Sequence, residues 1–266
     1  MNAISQDRPR SDAPGVGDRA PTAAETAFWA EKGYLVVPNF FSAADTDALV
    51  RWTGEVQSAP EVPGSQMVYY EDSLLEAGTR VVQRIEDFCP HHEGMDRIAR
   101  HGALSRWLAA LMGGETVLFK DKINFKYPGG DGFKAHQDQQ AGWTEFAPLF
   151  VTALVTIDRA TEANGCLEIA TAPRPQGLIG AEWTPLSEDE LGLQPVPTEP
   201  GDVIFFDSYV PHASKPNFTD GARRVLYLTY NREDAGDHRR RYFTEKRAAF
   251  PPDIERAPGS RYVFRV

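Results

Sequence analysis

The stretch from residue 118 to residue 144 constrains this chain more than any other part of its sequence. Residues 118–126 (LFKDKINFK) alternate as in a β-strand, and Pro128-Gly129-Gly130 then predicts a turn. The next predicted strand carries His136-Gln137-Asp138. Since residues i and i+2 of a strand face the same side, His136 and Asp138 can reach a single point. A histidine and a carboxylate held in this way form two thirds of the facial triad that binds non-haem Fe(II) with open coordination positions.

Predicted helices precede predicted strands along the chain. The spacing of apolar residues, with Thr22 and Ser42 as helix caps, predicts two N-terminal helices, and residues 95–111 predict a third. A short strand is expected over residues 34–40, and residues 80–88 could be a strand or an extended segment. Turn residues then separate strands expected near 116–126, 133–138, 150–158, 165–169, 202–207 and 224–231. Helices followed by antiparallel strands predict an α+β fold whose strands form a sandwich or barrel. Such a barrel suits a metal site in its mouth.

Two segments lack this periodicity. Residues 1–21 are rich in Pro, Gly, Asp, Arg and Ser and have no apolar anchor, so we expect a flexible tail followed by a single domain over residues 22–266. Residues 171–199 read as a long, proline-containing loop. Loops of that length are usually lids over a functional site or disordered, and the pattern does not decide between these.

The charge of the chain limits its partners. It has 266 residues and a formal net charge of −10 at pH 7. An acidic chain is a poor general binder of nucleic acids or anionic membranes, because both need positive charge on the protein. No apolar run approaches the roughly 20 residues of a membrane-spanning helix. We therefore expect a small-molecule substrate, no nucleic acid and no membrane, and the sequence carries no signal for an oligomeric state.

The cysteines and the N-terminus favour a cytoplasmic location. Cys89 and Cys166 lie far apart without a CxxC spacing, which is typical of free thiols in a reducing compartment. The first 21 residues contain no apolar stretch of the kind found in secretory signals.

A third metal ligand is expected on a strand far along the chain. Four of the histidines lie in helical or loop contexts, whereas His212 follows the predicted strand DVIFFDSYV. The later strand from Arg223 to Tyr230 begins with two arginines. Because side chains alternate along a strand, one arginine can face into the barrel and bind a carboxylate bidentately while its neighbour faces out.

These residues resemble the phytanoyl-CoA dioxygenase (PhyH-like) family of Fe(II)/2-oxoglutarate oxygenases. The resemblance covers most of residues 24–250 and is carried by His136-Gln137-Asp138, NGCLEI at 164–169, PGDVIFFDSYVPHAS at 200–214 and the segment from Asn217 to Arg223. It implies a double-stranded β-helix, a jelly-roll or cupin-like barrel, flanked by N-terminal helices. It also implies that the chain uses Fe(II), 2-oxoglutarate and O2.

The resemblance assigns roles to particular residues. His136, Asp138 and His212 would be the catalytic metal ligands. Arg223 and Ser214 would hold the distal carboxylate of 2-oxoglutarate, with Asn124 as a further cosubstrate contact. Related iron halogenases have a small residue in place of the carboxylate, so the presence of Asp138 favours hydroxylation, with release of succinate and CO2.

Candidate substrate residues lie on the same elements. Gln137 and Trp143 flank the metal motif, Tyr69 and Arg84 lie on an upstream extended stretch, and Lys122 lies on the strand that approaches the motif. Arginine, lysine and glutamine favour an anionic or zwitterionic small molecule. Aromatic residues such as Trp143 could instead enclose a quaternary ammonium group.

Three hypotheses for the function follow. The first is a hydroxylase of a small polar or zwitterionic molecule. Residues 119–133 and 226–253 resemble a bacterial subgroup that hydroxylates 2-aminoethylphosphonate and its trimethylammonium analogue, so these are candidate substrates. The second is a natural-product tailoring oxygenase that accepts a larger substrate beneath residues 171–199. The third is a cupin-like barrel that binds metal without turnover.

Overall fold

The computed structural model describes residues 14–257, 259 and 260. Over these residues the helices are α1 (Ala23–Lys32), α2 (Ala43–Ser58), α3 (Glu93–Arg100), α4 (Ala103–Met112) and α5 (Arg239–Ala249). The strands are β1 (Tyr34–Val37), β2 (Met67–Asp72), β3 (Arg80–Glu86), β4 (Thr116–Lys126), β5 (Phe133–His136), β6 (Val151–Thr156), β7 (Leu167–Ala170), β8 (Leu193–Val196), β9 (Val203–Asp207), β10 (His212–Ser214) and β11 (Arg223–Arg232).

The strands form two antiparallel sheets. The larger has seven strands in the order β1-β9-β6-β11-β4-β3-β2, and the smaller has four in the order β5-β10-β7-β8. Leu154 and Phe206 of the larger sheet pack with Ile169 of the smaller one in a buried apolar cluster. Two sheets that bury their inner faces against each other form a jelly roll. The predicted α+β fold with a double-stranded β-helix is confirmed.

The N-terminal helices cover the outer face of the larger sheet. Trp29 of α1, Leu49 of α2 and Trp107 of α4 are buried in one cluster with Phe205 and Leu228 of the sheet. The ring of Trp107 stacks on Phe205 at a centroid distance of 5.9 Å. Burying an apolar side chain of this size stabilises a fold by about 1.5–3 kcal/mol. The helical layer therefore supports the sheet that carries much of the site.

The predicted helix caps are confirmed. The Thr22 hydroxyl accepts a hydrogen bond from the Glu25 backbone, and the Glu25 carboxylate accepts one from the Thr22 backbone. The Ser42 hydroxyl accepts one from the backbone of Asp45. Residues 95–111, predicted as one helix, instead belong to α3 and α4. Gly102 between them has φ +87° and ψ −137°, a conformation that an α-helix cannot contain.

Part of the predicted N-terminal tail is packed on the helical layer. Residues 1–13 lie outside the part of the chain that the structure describes. The backbone N–H groups of Val16 and Gly17 donate hydrogen bonds to the carbonyls of Asn39 and Phe40. The indole N–H of Trp107 donates to the carbonyl of Arg19 at 2.7 Å. Residues 14–21 are thus packed on the helical layer, through backbone groups that a composition argument does not register.

Three strands and one helix of the structure were not predicted from the sequence. Strands β2, β8 and β10 and helix α5 have no counterpart in the predicted set, and β8 lies within the predicted loop 171–199, where it pairs with β7. Helix α5 is rich in arginine and shows little apolar periodicity, and it packs through the adjacent aromatic residues Tyr242 and Phe243 and through ion pairs with buried carboxylates. Cys89 and Cys166 are free, as predicted. Across the described part of the chain, no helix combines the length and apolar character needed to cross a bilayer.

Candidate metal centre and substrate cavity

Three predicted ligands converge between β5 and β10. His136 and His212 are register partners on these antiparallel strands. Asp138 lies on the 3₁₀ turn Asp138–Ala141, because β5 ends at His136 and not at residue 138 as predicted. The Oδ1 atom of Asp138 is 3.8 Å from Nε2 of His136 and 3.9 Å from Nε2 of His212. One ligand atom from each residue lies within 4.8 Å of the others, which fits a single metal ion.

Backbone carbonyls orient both imidazoles. Nδ1 of His136 lies 2.7 Å from the carbonyl oxygen of Lys134, and Nδ1 of His212 lies 3.0 Å from that of Val210. A carbonyl oxygen only accepts, so each Nδ1 carries the proton and donates it. The lone pair of each Nε2 therefore faces Asp138 and is available to a metal.

The site favours the protonation states that metal binding needs. Burial and the neighbouring His212 lower the pKa of His136 to about 3. Burial acts to raise the pKa of Asp138, but the nearby His212, His136 and Lys122 outweigh it, and the net shift is downward. At neutral pH His136 is neutral and Asp138 is ionised, so both are in their ligating forms.

A threonine pair that the sequence interpretation missed supports Asp138. The hydroxyl of Thr152 on β6 lies 3.5 Å from Oδ2 of Asp138 and 2.9 Å from the hydroxyl of Thr229 on β11. A hydrogen-bonded group behind a ligating carboxylate restricts its orientation. No local signal in the sequence marks Thr152, because its role depends on the pairing of β6 with β11.

Arg223 offers an unsatisfied guanidinium to the inner end of the site. Its side chain is buried, and among the described residues its Nε and Nη2 atoms have no hydrogen-bond partner. The neighbouring Arg224 faces the other way and forms a bidentate pair with Asp158 at 2.7 and 2.8 Å. A buried guanidinium with free donors is suited to a carboxylate, so this end of the site fits 2-oxoglutarate.

Lys126 and Ser214 complete the cationic inner end. Lys126 is the register partner of Arg223, and its ammonium donates to the hydroxyl of Ser214 at 2.8 Å. Burial and the charge of Arg223 lower the pKa of Lys126 to about 6. Asn124 follows on the same face of β4, and its buried Oδ1 has no partner in the described part of the chain. An arginine, a lysine, a hydroxyl and an amide thus surround a space that suits a carboxylate.

A cavity of about 310 Å³ extends from this end, past the triad, to helix α5. Polar and charged residues line it together with aromatic ones. The charged lining residues are Arg84, Glu86, Lys120, Lys122, Asp138, Glu145, Glu182, Glu245 and Lys246. The aromatic ones include Phe133, Trp143, Phe146, Trp183, Tyr227, Tyr242 and Phe250.

The cavity includes three of the five predicted substrate residues. Arg84, Lys122 and Trp143 line it, whereas Gln137 and Tyr69 do not. The side chain of Gln137 is fully buried and binds backbone groups on its other side. Tyr69 lies behind Arg84, whose Cζ atom is 4.1 Å from the centre of the Tyr69 ring. The Tyr69 hydroxyl donates its hydrogen to the carbonyl of Phe250. These two residues support the site without facing the cavity.

The outer part of the cavity contains cations that the sequence interpretation missed. Arg84 and Lys246 both form ion pairs with the buried carboxylate of Glu86. Lys120 lies on the same face of β4 as Lys122, and its ammonium is 5.4 Å from the centre of the Trp143 ring. The alternation of β4 could have indicated Lys120. Lys246 could not have been found, because α5 was not predicted.

Comparisons with known proteins agree with this geometry. A model of the phytanoyl-CoA dioxygenase (PhyH) family matches residues 29–225. The chain is 36% identical over 250 residues to 2-aminoethylphosphonate dioxygenase of uncultured bacterium HF130_AEPn_1, covering 91% of this chain and 93% of that protein. It is 38% identical over 226 residues to methylphosphonate hydroxylase of Gimesia maris, covering 84% and 85% respectively.

A solved structure supports the fold. EctD from S. alaskensis, crystallised with 2-oxoglutarate and 5-hydroxyectoine, superposes with a TM-score of 0.69 over 86% of each chain, at 21% sequence identity. At this identity the likeness concerns the fold, and it agrees with the jelly-roll topology described above.

The family match and the named relatives establish an enzyme, so the hypothesis of a barrel without turnover is wrong. The metal triad and the unsatisfied guanidinium beside it fit iron and 2-oxoglutarate. This chain belongs to the phytanoyl-CoA dioxygenase (PhyH) family and is an Fe(II)- and 2-oxoglutarate-dependent dioxygenase with hydroxylase activity.

Proposed function

We propose that this enzyme hydroxylates a small organophosphonate at a carbon close to the phosphonate group. The observation that carries the proposal is a pair of cavity lysines whose side chains have no direct polar partner in the described part of the chain. Within the described residues, the ammonium groups of Lys120 and Lys122 form neither a hydrogen bond nor a salt bridge, and both lie near aromatic rings. Both lie on the cavity face of β4, beyond the inner end formed by Lys126 and Arg223.

The charge balance of the outer cavity supports a dianion. Arg84, Lys120, Lys122 and Lys246 line the cavity around the buried carboxylate of Glu86. The other outer carboxylates, those of Glu145, Glu182 and Glu245, are exposed to solvent, so the part of the cavity around Glu86 has an excess of basic side chains. Burial, and after it the charge of Lys120, lower the pKa of Lys122 to about 7. A phosphonate, with up to two negative charges and three acceptor oxygens, would offset this excess through charge-assisted hydrogen bonds.

The relatives and the cavity size support the same substrate class. Two proteins at 36% and 38% identity are named for 2-aminoethylphosphonate and methylphosphonate. A cavity of about 310 Å³ is at the lower end of ligand pockets. The cavity thus favours a small substrate over the larger one of a natural-product tailoring oxygenase.

The remaining roles follow from the placement of the side chains. His136, Asp138 and His212 hold iron through Nε2 of each imidazole and a carboxylate oxygen. Arg223, Lys126 and Ser214 hold one carboxylate of 2-oxoglutarate, with Asn124 beside them. Bound iron and 2-oxoglutarate supply the oxidation, in which O2 and 2-oxoglutarate give succinate, CO2 and one oxygen atom inserted into a C–H bond. The protein binds and orients the substrate and excludes water.

Residues 22–266 form one catalytic domain in this proposal. Elements from both the strand-rich region and the C-terminal helix line the same cavity, among them β3, β4 and α5. Helix α5 lies beyond the residues that match the family model, and it supplies Tyr242 and Lys246 to the outer cavity. We therefore expect the outer end, which includes these residues of α5, to be where this chain selects its substrate.

Matched substrates test the proposal. Iron-loaded protein is prepared without oxygen, O2 is admitted, and succinate is measured with 2-aminoethylphosphonate, its trimethylammonium analogue or methylphosphonate. Taurine and β-alanine replace the phosphonate by a sulfonate or a carboxylate on the same carbon skeleton. We expect succinate and a hydroxylated product with at least one phosphonate, and neither with taurine or β-alanine. Equal stimulation by taurine, or none by any phosphonate, would overturn the proposed substrate class.

Two lysine variants locate the phosphonate site. Lys120→Met should raise the KM for the phosphonate at least about tenfold, since it removes one charge-assisted contact of about 1.5–3 kcal/mol. The KM for 2-oxoglutarate should stay unchanged. Lys134→Met is the matched control, because Lys134 is exposed on β5 and its side chain does not line the cavity.

A further inference from the structure

Gln137, between two of the proposed metal ligands, binds a distant loop. We call residues 177–186 the substrate loop. Nε2 of Gln137 donates to the carbonyls of Gly177 at 3.0 Å and Tyr209 at 2.6 Å. Its Oε1 accepts from the backbone N–H of Ile179 at 2.7 Å. The side chain is completely buried, so water does not compete for these bonds.

Gln140 binds the same loop further along. Its Nε2 donates to the carbonyls of Ala181 at 2.6 Å and Thr184 at 2.7 Å. Its backbone carbonyl accepts from the N–H of Trp183 at 2.9 Å, and its Oε1 accepts from the backbone N–H of Gln137 at 2.9 Å. Both hydrogens of each amide are thus used, and the side chain of Gln140 is also bonded to the backbone of Gln137.

The substrate loop in turn places Trp183 at the cavity. Trp183 lines the outer cavity, and its ring centre is 6.3 Å from that of Phe250, just after α5. Its backbone has φ +58°, a conformation that a non-glycine residue keeps only where its surroundings impose it. The N–H of this strained residue is the one bound by Gln140.

Gly142 leaves room for the indole on the opposite side. A Cβ atom built on Gly142 would lie 3.2 Å from Cζ2 of Trp183, and Gly142 itself has φ +74°. The turn that carries Asp138 is therefore in close contact with Trp183. The metal-binding segment determines the position of this wall of the cavity through hydrogen bonds to the loop backbone and through close packing of the ring.

We propose that Gln137 and Gln140 are positioning residues that hold the substrate loop as a fixed wall of the cavity, and that Trp183 limits the length of the substrate. The inference rests on the proposed function in one respect, namely that the substrate occupies this cavity. Through these amides the loop is tied to the segment that holds the metal. A correctly placed metal site and a correctly closed outer cavity are thus parts of one hydrogen-bonded unit.

Hydrogen exchange tests the positioning role without any substrate. The variants are Gln137→Met and Gln140→Met, and Gln139→Met is the matched control. Gln139 is equally buried in the same turn, but its amide donates to the carbonyl of Ala147 and does not reach the loop. We expect exchange of the amides of Ile179 and Trp183 to accelerate at least tenfold in the first two variants and to stay unchanged in the control. Equal protection in all three proteins would overturn the positioning role.

Kinetics then separates positioning from general loss of structure. In Gln140→Met we expect the KM for the substrate to rise at least tenfold, the KM for 2-oxoglutarate to stay within twofold, and more succinate to form per hydroxylated product. A parallel loss in both KM values would indicate a general structural defect and would count against the proposal. If Gln140→Met does not fold, Gln137→Met carries the same test, because its bonds to the loop are separate.

Trp183→Ala tests the length limit. We compare kcat/KM for 2-aminoethylphosphonate and 3-aminopropylphosphonate, which differ by one methylene. Trp183→Ala should shift this ratio at least tenfold toward the longer substrate, and Leu178→Ala, on the same loop but outside the cavity lining, should not. An unchanged ratio would overturn the role of Trp183. If the wild-type protein accepts no phosphonate, the proposed function fails, and hydrogen exchange still decides the role of the glutamines.

Discussion

His136 and His212 lie directly opposite each other on β5 and β10, and their ring centroids are 4.4 Å apart. The antiparallel register brings together two residues that are distant in the sequence, and hydrogen bonds from both Nδ1 atoms to backbone carbonyls turn both Nε2 atoms inward. The metal centre is therefore a property of one strand pair, completed by the carboxylate of Asp138.

Loss of one imidazole should abolish iron binding. His212→Ala removes a ligand, so we expect iron affinity to fall by more than about 100-fold, beyond the roughly 10–100-fold typical of changes in groups that only support ligands. Equilibrium dialysis with Fe(II) under anaerobic conditions measures this. His101→Ala, exposed at the end of α3, is the control. Unchanged iron affinity in His212→Ala would contradict the assigned triad.

The two adjacent arginines should behave differently. Arg223→Met removes the buried guanidinium with free donors, and we expect the KM for 2-oxoglutarate to rise at least about 30-fold, since loss of a buried charge-paired contact costs about 2–5 kcal/mol. Arg224→Met breaks only the partly exposed pair with Asp158 and should leave this KM unchanged. Steady-state succinate assays compare them. Similar KM values for both variants would mean that Arg223 does not bind the cosubstrate.

Binding of 2-oxoglutarate should take up a proton. The pKa of Lys126 is about 6 without ligand, because of burial and of Arg223, although Glu71 and Asp131 act in the opposite direction. A carboxylate bound beside Lys126 favours the ammonium form and raises its pKa in the complex. Affinity should therefore be greatest below pH 6 and should weaken by up to about tenfold per pH unit as the pH rises above it.

Calorimetry checks this linkage. Titration of iron-loaded protein in buffers of different ionisation enthalpy, from pH 6 to pH 9, reports proton uptake directly. Lys126→Met should bind 2-oxoglutarate more weakly and lose the pH dependence in this range. A wild-type affinity that does not change with pH would show that Lys126 keeps one protonation state.

Support of Asp138 by Thr152 should be measurable. Thr152→Val removes the hydroxyl 3.5 Å from Oδ2 of Asp138 while keeping the shape of the side chain. We expect iron affinity to fall by about 10–100-fold. Thr156→Val is the control on the same strand, because the Thr156 hydroxyl donates to Thr198 instead. Equal iron affinities in the two variants would assign Thr152 to packing alone.

A buried ion pair should anchor helix α5. Nη1 of Arg239 lies 2.5 Å from Oδ1 of Asp121, whose Oδ2 accepts from the backbone of Phe88 and Cys89. Asp121→Ala leaves a buried cation without this partner, so the free energy of unfolding should fall by about 3–5 kcal/mol. Chemical denaturation measures it. Removal of the exposed Arg51–Glu55 pair through Arg51→Ala should cost less than about 1 kcal/mol.

Local patterns in the sequence were enough for part of the fold. Strand β4 has the bounds 116–126 that its alternation predicts, and the caps at Thr22 and Ser42 form as expected. Such features depend on interactions between near neighbours in the chain. The triad was also recognisable, because a short motif and a resemblance to a known family pointed to His136, Asp138 and His212.

Only the tertiary structure decided what surrounds the metal centre. Contacts between distant segments determine the direction of the Gln137 side chain, the hydrogen bond from Thr152 to Asp138 and the position of Lys246 at the cavity. Helix α5 itself was missed because it packs through two adjacent aromatic residues and through ion pairs with buried carboxylates, a combination that leaves little apolar periodicity in the sequence. The sequence by itself therefore determined the fold class and the chemistry. The pairing of strands and the docking of loops determined the shape and charge of the space in which the substrate binds, because these arise from long-range packing that no local pattern encodes.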